Sequence, residues 1–392
     1  MRIDTRLAER VKKINPSSTL AITSRAKKLI SEGKDIVNFA AGEPDFDTPD
    51  FIKDQAISAI KGGFTKYTPS TGIPELKKLI CEKFKKENQI EYAPEQIAVS
   101  SGAKHSIFNT LLALVNPQDE VIIPSPYWVS YPEMVNICEG SPRFVKTLPE
   151  NNFKLTTEEL EKQLSNKTKL LILNTPSNPT GCVYSRKELE EIARICVARK
   201  IFVASDEIYE KLIYDGQKHI SIAGFNKDIY DLTITINGLS KSYSMTGWRI
   251  GYLGGPKDVV SAISNLQDHS TSCPVSISQK AAVAALSAPD DFSQKICKEF
   301  QARRDYMASR LNKIKKIKYV LPGGAFYIFC DISQTRLDSL TFASRLLEET
   351  FVSIIPGDGF GRNDYVRLSF ATSTTQIEKG VDRIAAWLSK NT

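Results

Sequence analysis

The sequence predicts an α/β protein: a large, doubly wound, mostly parallel sheet domain joined to a smaller α+β domain. Three observations carry this. Short Val/Ile-rich apolar runs recur at 97–102, 120–126, 169–176, 201–207, 232–238 and 250–255, with helix-length stretches between most of them. Continuous apolar strands alternating with helical connections are the mark of a sheet covered on both faces. Each of the first five runs then ends in a polar cluster, and in an open parallel sheet such ends line the ligand crevice. Finally, after about residue 285 the pattern changes to amphipathic helices at 290–315 and 375–390 flanking short strands near 323–332, 352–357 and 365–370. Residues 50–285 therefore form the large domain, and 1–49 with 286–392 the small one.

Composition restricts the function. The 392 residues are 41% apolar and 25% charged, as in an ordinary globular protein, without repeats or low-complexity stretches. The net charge of +7 is spread out, and the Lys313–Lys318 patch reads as the polar side of a helix end, so no nucleic-acid-binding arm is predicted. Charges throughout MRIDTRLAERVKKI fit neither a signal peptide nor a membrane span, and a cytosolic protein is expected. Seven cysteines without a C-x-x-C spacing suggest reduced thiols. The three histidines, His105, His219 and His269, form no metal-binding or charge-relay pattern, so no metal is expected.

The chemistry must come from the strand ends. Ser101-Gly102-Ala103-Lys104 lies between a strand and a helix, where free amides could seat a phosphate or simply cap the helix. Arg249 could add a cation to that anion or form an ordinary ion pair. Trp128 could stack on a flat ring or merely pack. Asp206 closes an apolar strand, a costly place for a carboxylate unless a cation meets it, and Tyr209 lies three residues on. Ser240-Lys241 stands in NGLSKSYSMTGWRIGY, where the lysine is either a solvated loop residue or a covalent anchor. Taken jointly, these residues describe one molecule with a phosphate, a pyridinium nitrogen, a phenolic oxygen and an aldehyde: pyridoxal 5'-phosphate.

The motifs point the same way. SKSYSMTGWRIGY resembles the cofactor-lysine signature of the class I pyridoxal-phosphate-dependent aminotransferases, which share the aspartate aminotransferase fold (fold type I). AGEPDFDTP (41–49), KYTPSTGIPEL (66–76), SPYWVSYPEM (125–134), NTPSNPTG (174–181), SDEIYE (205–210) and YVRLSFAT (365–372) follow in the family's order across nearly the whole chain. YWVSYPEM and MTGWRIGY are similar to the bacterial-type aspartate aminotransferases. The resemblance implies that Lys241 holds the cofactor as an imine and Asp206 pairs with its ring nitrogen. Trp128 would lie over the ring, with Asn178 and Tyr209 at the phenolic oxygen. Ala103, Lys104, Ser240 and Arg249 would hold the phosphate, with Tyr67 reaching it from the second subunit of a homodimer. Arg367 would clamp the substrate α-carboxylate near Gly42.

For a distal carboxylate, the resemblance implies Lys104 and Thr19, since QDHSTSCP (267–274) carries no arginine. L-aspartate and L-glutamate, with oxaloacetate and 2-oxoglutarate, are the expected substrates. Many relatives carry a lysine where Asn15 precedes Pro16, which leaves prephenate open. The alternatives are an aromatic or alanine aminotransferase, a carbon–sulfur β-lyase, or a cofactor-binding transcriptional regulator, which would need an added DNA-binding segment.

Overall fold

The computed structural model describes residues 6–14 and 18–391, without the side chains of Glu9, residues 18–21 and Thr23. Thirteen strands follow in chain order: β1 (Val37–Asn38), β2 (Ile97–Ser100), β3 (Glu120–Ser125), β4 (Ser141–Lys146), β5 (Thr168–Asn174), β6 (Phe202–Asp206), β7 (Thr233–Gly238), β8 (Gly251–Gly254), β9 (Lys318–Tyr319), β10 (Tyr327–Asp331), β11 (Val352–Ser353), β12 (Ile355–Pro356) and β13 (Tyr365–Ser369). Seven of them make one sheet in the order β2-β8-β7-β6-β5-β3-β4.

That sheet is parallel except for β8, which runs antiparallel to both its neighbours. The sequence pattern predicts a mostly parallel sheet, and the run 250–255 supplies its antiparallel member. The connection from β7 to β8, residues 239–250, holds no helix of the covering kind that a parallel return requires. It turns over at the carboxyl end of β7, and Lys241 sits in the turn.

The strand side chains alternate between two apolar layers, as the pleat demands. Ile123, Leu170, Ile172, Ala204, Ile234 and Ile236 face the helix Ala103–Leu114, while Ile122, Leu171, Leu173 and Val203 face the helix Arg186–Arg199. β7 is buried at every position. β4 was not anticipated: SPRFVK reads as polar, and its residues are largely exposed at the sheet edge.

A second, antiparallel sheet has the order β12-β13-β10-β9, and a parallel pair joins β1 to β11. A third apolar core packs these strands against the helices Asp291–Leu311, Ser339–Thr350 and Thr374–Asn391, and it includes Val37 and Phe39 from early in the chain. The Lys313–Lys318 patch lies just past the first of these helices, in a turn whose Ile314 and Ile317 are buried. The third core extends to Tyr209 and Leu212, which follow β6. The antiparallel sheet therefore meets the large sheet at its strand ends.

Candidate active site

At that meeting lies a cavity of about 460 Å³, within the range of small-molecule sites. It brings together Gly42, Ala103, Lys104, Trp128, Asn178, Asp206, Tyr209, Ser240, Lys241, Arg249 and Arg367, eleven of the thirteen residues expected from the sequence. Tyr67 does not line it and is 89% exposed. The Thr19 side chain, Asn15 and Pro16 lie outside the described residues.

One wall is the start of the helix Ala103–Leu114, preceded by Gly102 at φ 89°. A side chain there would collide with Arg249, whose Nη2 would lie 2.6 Å from its Cβ. Gly251 on β8 is tighter still, because a Cβ would come within 2.3 Å of the Ala103 amide nitrogen. Two glycines thus let the β8 backbone and the Arg249 guanidinium close on one helix start, where amide donors and the dipole favour an anion. Arg249 donates to the carbonyls of Thr246 (2.9 Å) and Ser101 (3.3 Å) and pairs with no carboxylate among the described residues.

Asp206, at the end of β6, is buried. It accepts a 2.6 Å hydrogen bond from the Tyr131 hydroxyl at Oδ2 and a long 3.3 Å one from the Ile208 amide at Oδ1. Burial, only partly opposed by Tyr131, lifts its carboxyl to about 6. Lys241 carries its Nζ into the cavity, 2.6 Å from the Gly42 carbonyl. Desolvation, aided by Arg367 and Arg249 against the attraction of Glu43 and Asp206, brings this amine down to about 8. Lowered in this way, the lysine becomes a usable nucleophile near neutral pH.

Arg367 comes from the middle of β13, opposite Phe329 of β10 and Ile355 of β12. Its Nη1 donates to Asn178 Oδ1 (3.0 Å) and its Nη2 to the Ala40 carbonyl (3.1 Å), while its guanidinium lies 4.2 Å from the centre of the Tyr327 ring. It is 6% exposed, its Nε has no hydrogen-bond partner, and no carboxylate among the described residues pairs with it. A buried guanidinium in that condition requires an anion. Lys104 also has no carboxylate partner among the described residues; it lies 4.8 Å from the Trp128 ring centre, its ammonium disfavoured by desolvation and then by Arg249.

Comparisons with known proteins give the family. The family model for aminotransferase class I and II matches residues 34–384. The chain belongs to that family. It is 48% identical to an aspartate aminotransferase of Bacillus sp. strain YM-2, covering 96% of this chain and 98% of that protein. It is 45% identical to an aspartate/prephenate aminotransferase of Nitrosomonas europaea, covering 98% and 100%. The aspartate aminotransferase structure from Rhizobium meliloti superposes with a TM-score of 0.95 at 40% identity, covering 99% of this chain and all of that one. That from Thermus thermophilus with maleate gives 0.93 at 41%, covering 98% and 100%. The fold is the type I fold of these enzymes.

Among the residues of this aminotransferase pocket that the sequence reading did not place in a site are Tyr131, Glu43 and Tyr327. Tyr131 stands three positions after Trp128, close to one helical turn, and that spacing was the available signal. Glu43 bonds Thr246 across the cavity mouth (2.7 Å), and Tyr327 shares a 2.9 Å hydrogen bond with Tyr209. Neither contact has a local sequence signal, since the partners are far apart in the chain.

Proposed function

We propose that this aminotransferase moves the amino group of L-aspartate to 2-oxoglutarate, giving oxaloacetate and L-glutamate, with pyridoxal 5'-phosphate as cofactor. The observation that carries the proposal is Arg367: a buried guanidinium with no carboxylate partner among the described residues, in the same cavity as a lysine of lowered basicity and a buried carboxylate that forms no ion pair among them. The cofactor fits each of these deficits. Its phosphate would sit at the Ala103 and Lys104 amides with Ser240 and Arg249, its ring nitrogen at Asp206, its phenolic oxygen at Asn178 and Tyr209, and its ring against Trp128. Bound there, pyridoxal 5'-phosphate supplies an aldehyde to carry the amino group and a ring that takes up electrons when the substrate α-proton leaves.

The protein's own residues do the rest. Lys241 would hold the cofactor through Nζ, and its amine, once free, would take the substrate α-proton and deliver it to the carbon that carries the transferred amino group. Asp206 would stabilise positive charge on the ring nitrogen. Arg367 would hold the substrate α-carboxylate, with Gly42 alongside, and so orient the α-carbon for loss of its proton.

Substrate choice rests on the remaining cations. Lys104, with Thr19, would meet a distal carboxylate, and maleate, found in the Thermus thermophilus structure, is itself a four-carbon dicarboxylate. Relatives named for prephenate as well as aspartate support a broader acceptor range. The exposed Tyr67 supports a homodimer in which it completes the partner's phosphate site. The separate cores support division into a large domain (50–285) and a small one (1–49 with 286–392), closing on substrate, and the seven free cysteines support a cytosolic location.

A panel of amino acids with 2-oxoglutarate, read by conversion of the cofactor's absorbance to its pyridoxamine form, tests the reading. Aspartate should give the highest kcat/KM. Far faster turnover of alanine or an aromatic amino acid would overturn the substrate assignment, and pyruvate formed without any keto acid would indicate a lyase.

A further inference from the structure

We propose that Tyr131 is a positioning residue that sets the hydrogen-bonding state of Asp206 and thereby how firmly a ring nitrogen bound there is kept positive. The inference rests on the cofactor reading above. The Tyr131 hydroxyl is buried, at 2% exposure, and its hydrogen bond to Asp206 Oδ2 is 2.6 Å, the short range of an O–H donated to a carboxylate. Burial and the adjacent carboxylate both push the phenol well above its ordinary value, so it keeps its proton and acts only as a donor. Oδ1 holds just the long bond from the Ile208 amide and keeps acceptor capacity for a second proton-bearing group.

The charged and titratable groups around Asp206 are few: Glu207 follows it in the chain, Lys241 lies across the cavity, and Tyr209 stands three residues on. Of these, none gives it a hydrogen bond, so Tyr131 is the sole side-chain donor to this carboxylate among the described residues. The same ring meets Trp128 edge to face, with centroids 5.3 Å apart and planes at 85°. One side chain therefore braces both the carboxylate that faces the ring nitrogen and the indole that faces the ring.

Charge logic gives the sign. A donor on Oδ2 makes the carboxylate less basic, so a proton shared with the ring nitrogen stays on the ring. Tyr131→Phe should shift that proton toward Asp206, leave the ring less positive, and make the imine nitrogen at Lys241 more basic.

The test uses holoenzyme. Tyr131→Phe should raise the pH midpoint of the imine absorbance by about half a unit or more and lower kcat by about fivefold or more, with an increased isotope effect on α-deuterated aspartate. Incorporation of 3-fluorotyrosine at position 131, a nearly isosteric and stronger donor, should move the midpoint the other way. If Tyr131→Phe does not fold, the fluorinated protein decides alone. An unchanged midpoint in a wild-type-like holoenzyme overturns the role of Tyr131 and leaves the cofactor reading standing. Failure of the wild-type protein to capture pyridoxal phosphate at all overturns both.

Discussion

The segment Asp206–Glu210 has two sides, and they differ in how their charges are met. On the side away from the cavity, the fully buried Glu207 accepts from Ser205 (2.8 Å), Ser221 (2.7 Å) and Asn88 (3.2 Å) and pairs with His219 (2.8 Å). Glu210 pairs with the buried Lys83 and accepts from Asn88 at 2.8 Å. Burial pushes Glu210 up, but Lys83 and His219 outweigh it and hold the carboxyl down to about 2. Glu207, Glu210 and His219 bring ligand-type atoms within 4.8 Å of one another, yet the Lys83 ammonium already supplies the cation such a set would attract. On the cavity side, Asp206 is raised, Lys241 is lowered, and Arg249, Arg367 and Lys104 have no carboxylate partner among the described residues. Balanced charge holds a fold together; unbalanced charge, kept at a cost in stability, marks where a ligand is to bind.

The comparison can be broken at several points. The largest effect is expected from Lys241→Ala, which should abolish the imine absorbance and reduce turnover by about 10⁴-fold or more. Wild-type rates in that variant would defeat the assignment. Arg367→Met should lower kcat/KM for aspartate by about 10²-fold or more, the loss typical of a paired, buried ion contact. Because the guanidinium has no carboxylate partner among the described residues, the same substitution should not lower the apoprotein Tm; a fall of several degrees would show that the arginine is structural.

Glu210→Gln tests the other side. Leaving Lys83 without its buried partner should cost about 3 kcal/mol of stability by denaturant titration, with kcat nearly unchanged. A purely catalytic defect would blur the two sides. Capture of pyridoxal phosphate by apoprotein should follow the neutral form of Lys241. Its amine sits below the ordinary lysine value, at about 8, so the rate should rise about tenfold per pH unit below that point and level off above it. A rate still climbing at pH 10 would mean a solvated lysine. Smallest, Lys104→Met should cut kcat/KM for aspartate relative to alanine by about tenfold, measured side by side.

Much of this site was legible because most of its large-sheet contributors stand at or soon after the end of a strand, and apolar runs announce strand ends. Asp206 after FVAS and Lys241 after TITING are local signals. The orientation of β8 was not legible, since an apolar run reads the same in either direction, and β4 was hidden by its exposed, polar edge. Arg367 was found only through the resemblance, because nothing in YVRLSF tells an inward-facing arginine from a surface one. The pairing of Tyr131 with Asp206 spans 75 residues, and only the packing of the helix Ser130–Ile137 creates it.

The carboxylate clamp is the last part of this pocket in chain order. Arg367 reaches its place only when β13 has joined β10 and its guanidinium has met the Ala40 carbonyl, a partner 327 residues earlier. A chain that stops before β13 lacks this clamp, even though Lys241, Asp206 and the helix start at Ala103 all precede it. If the proposed cofactor binds, its colour would not by itself report a finished clamp, and competence has to be judged by substrate.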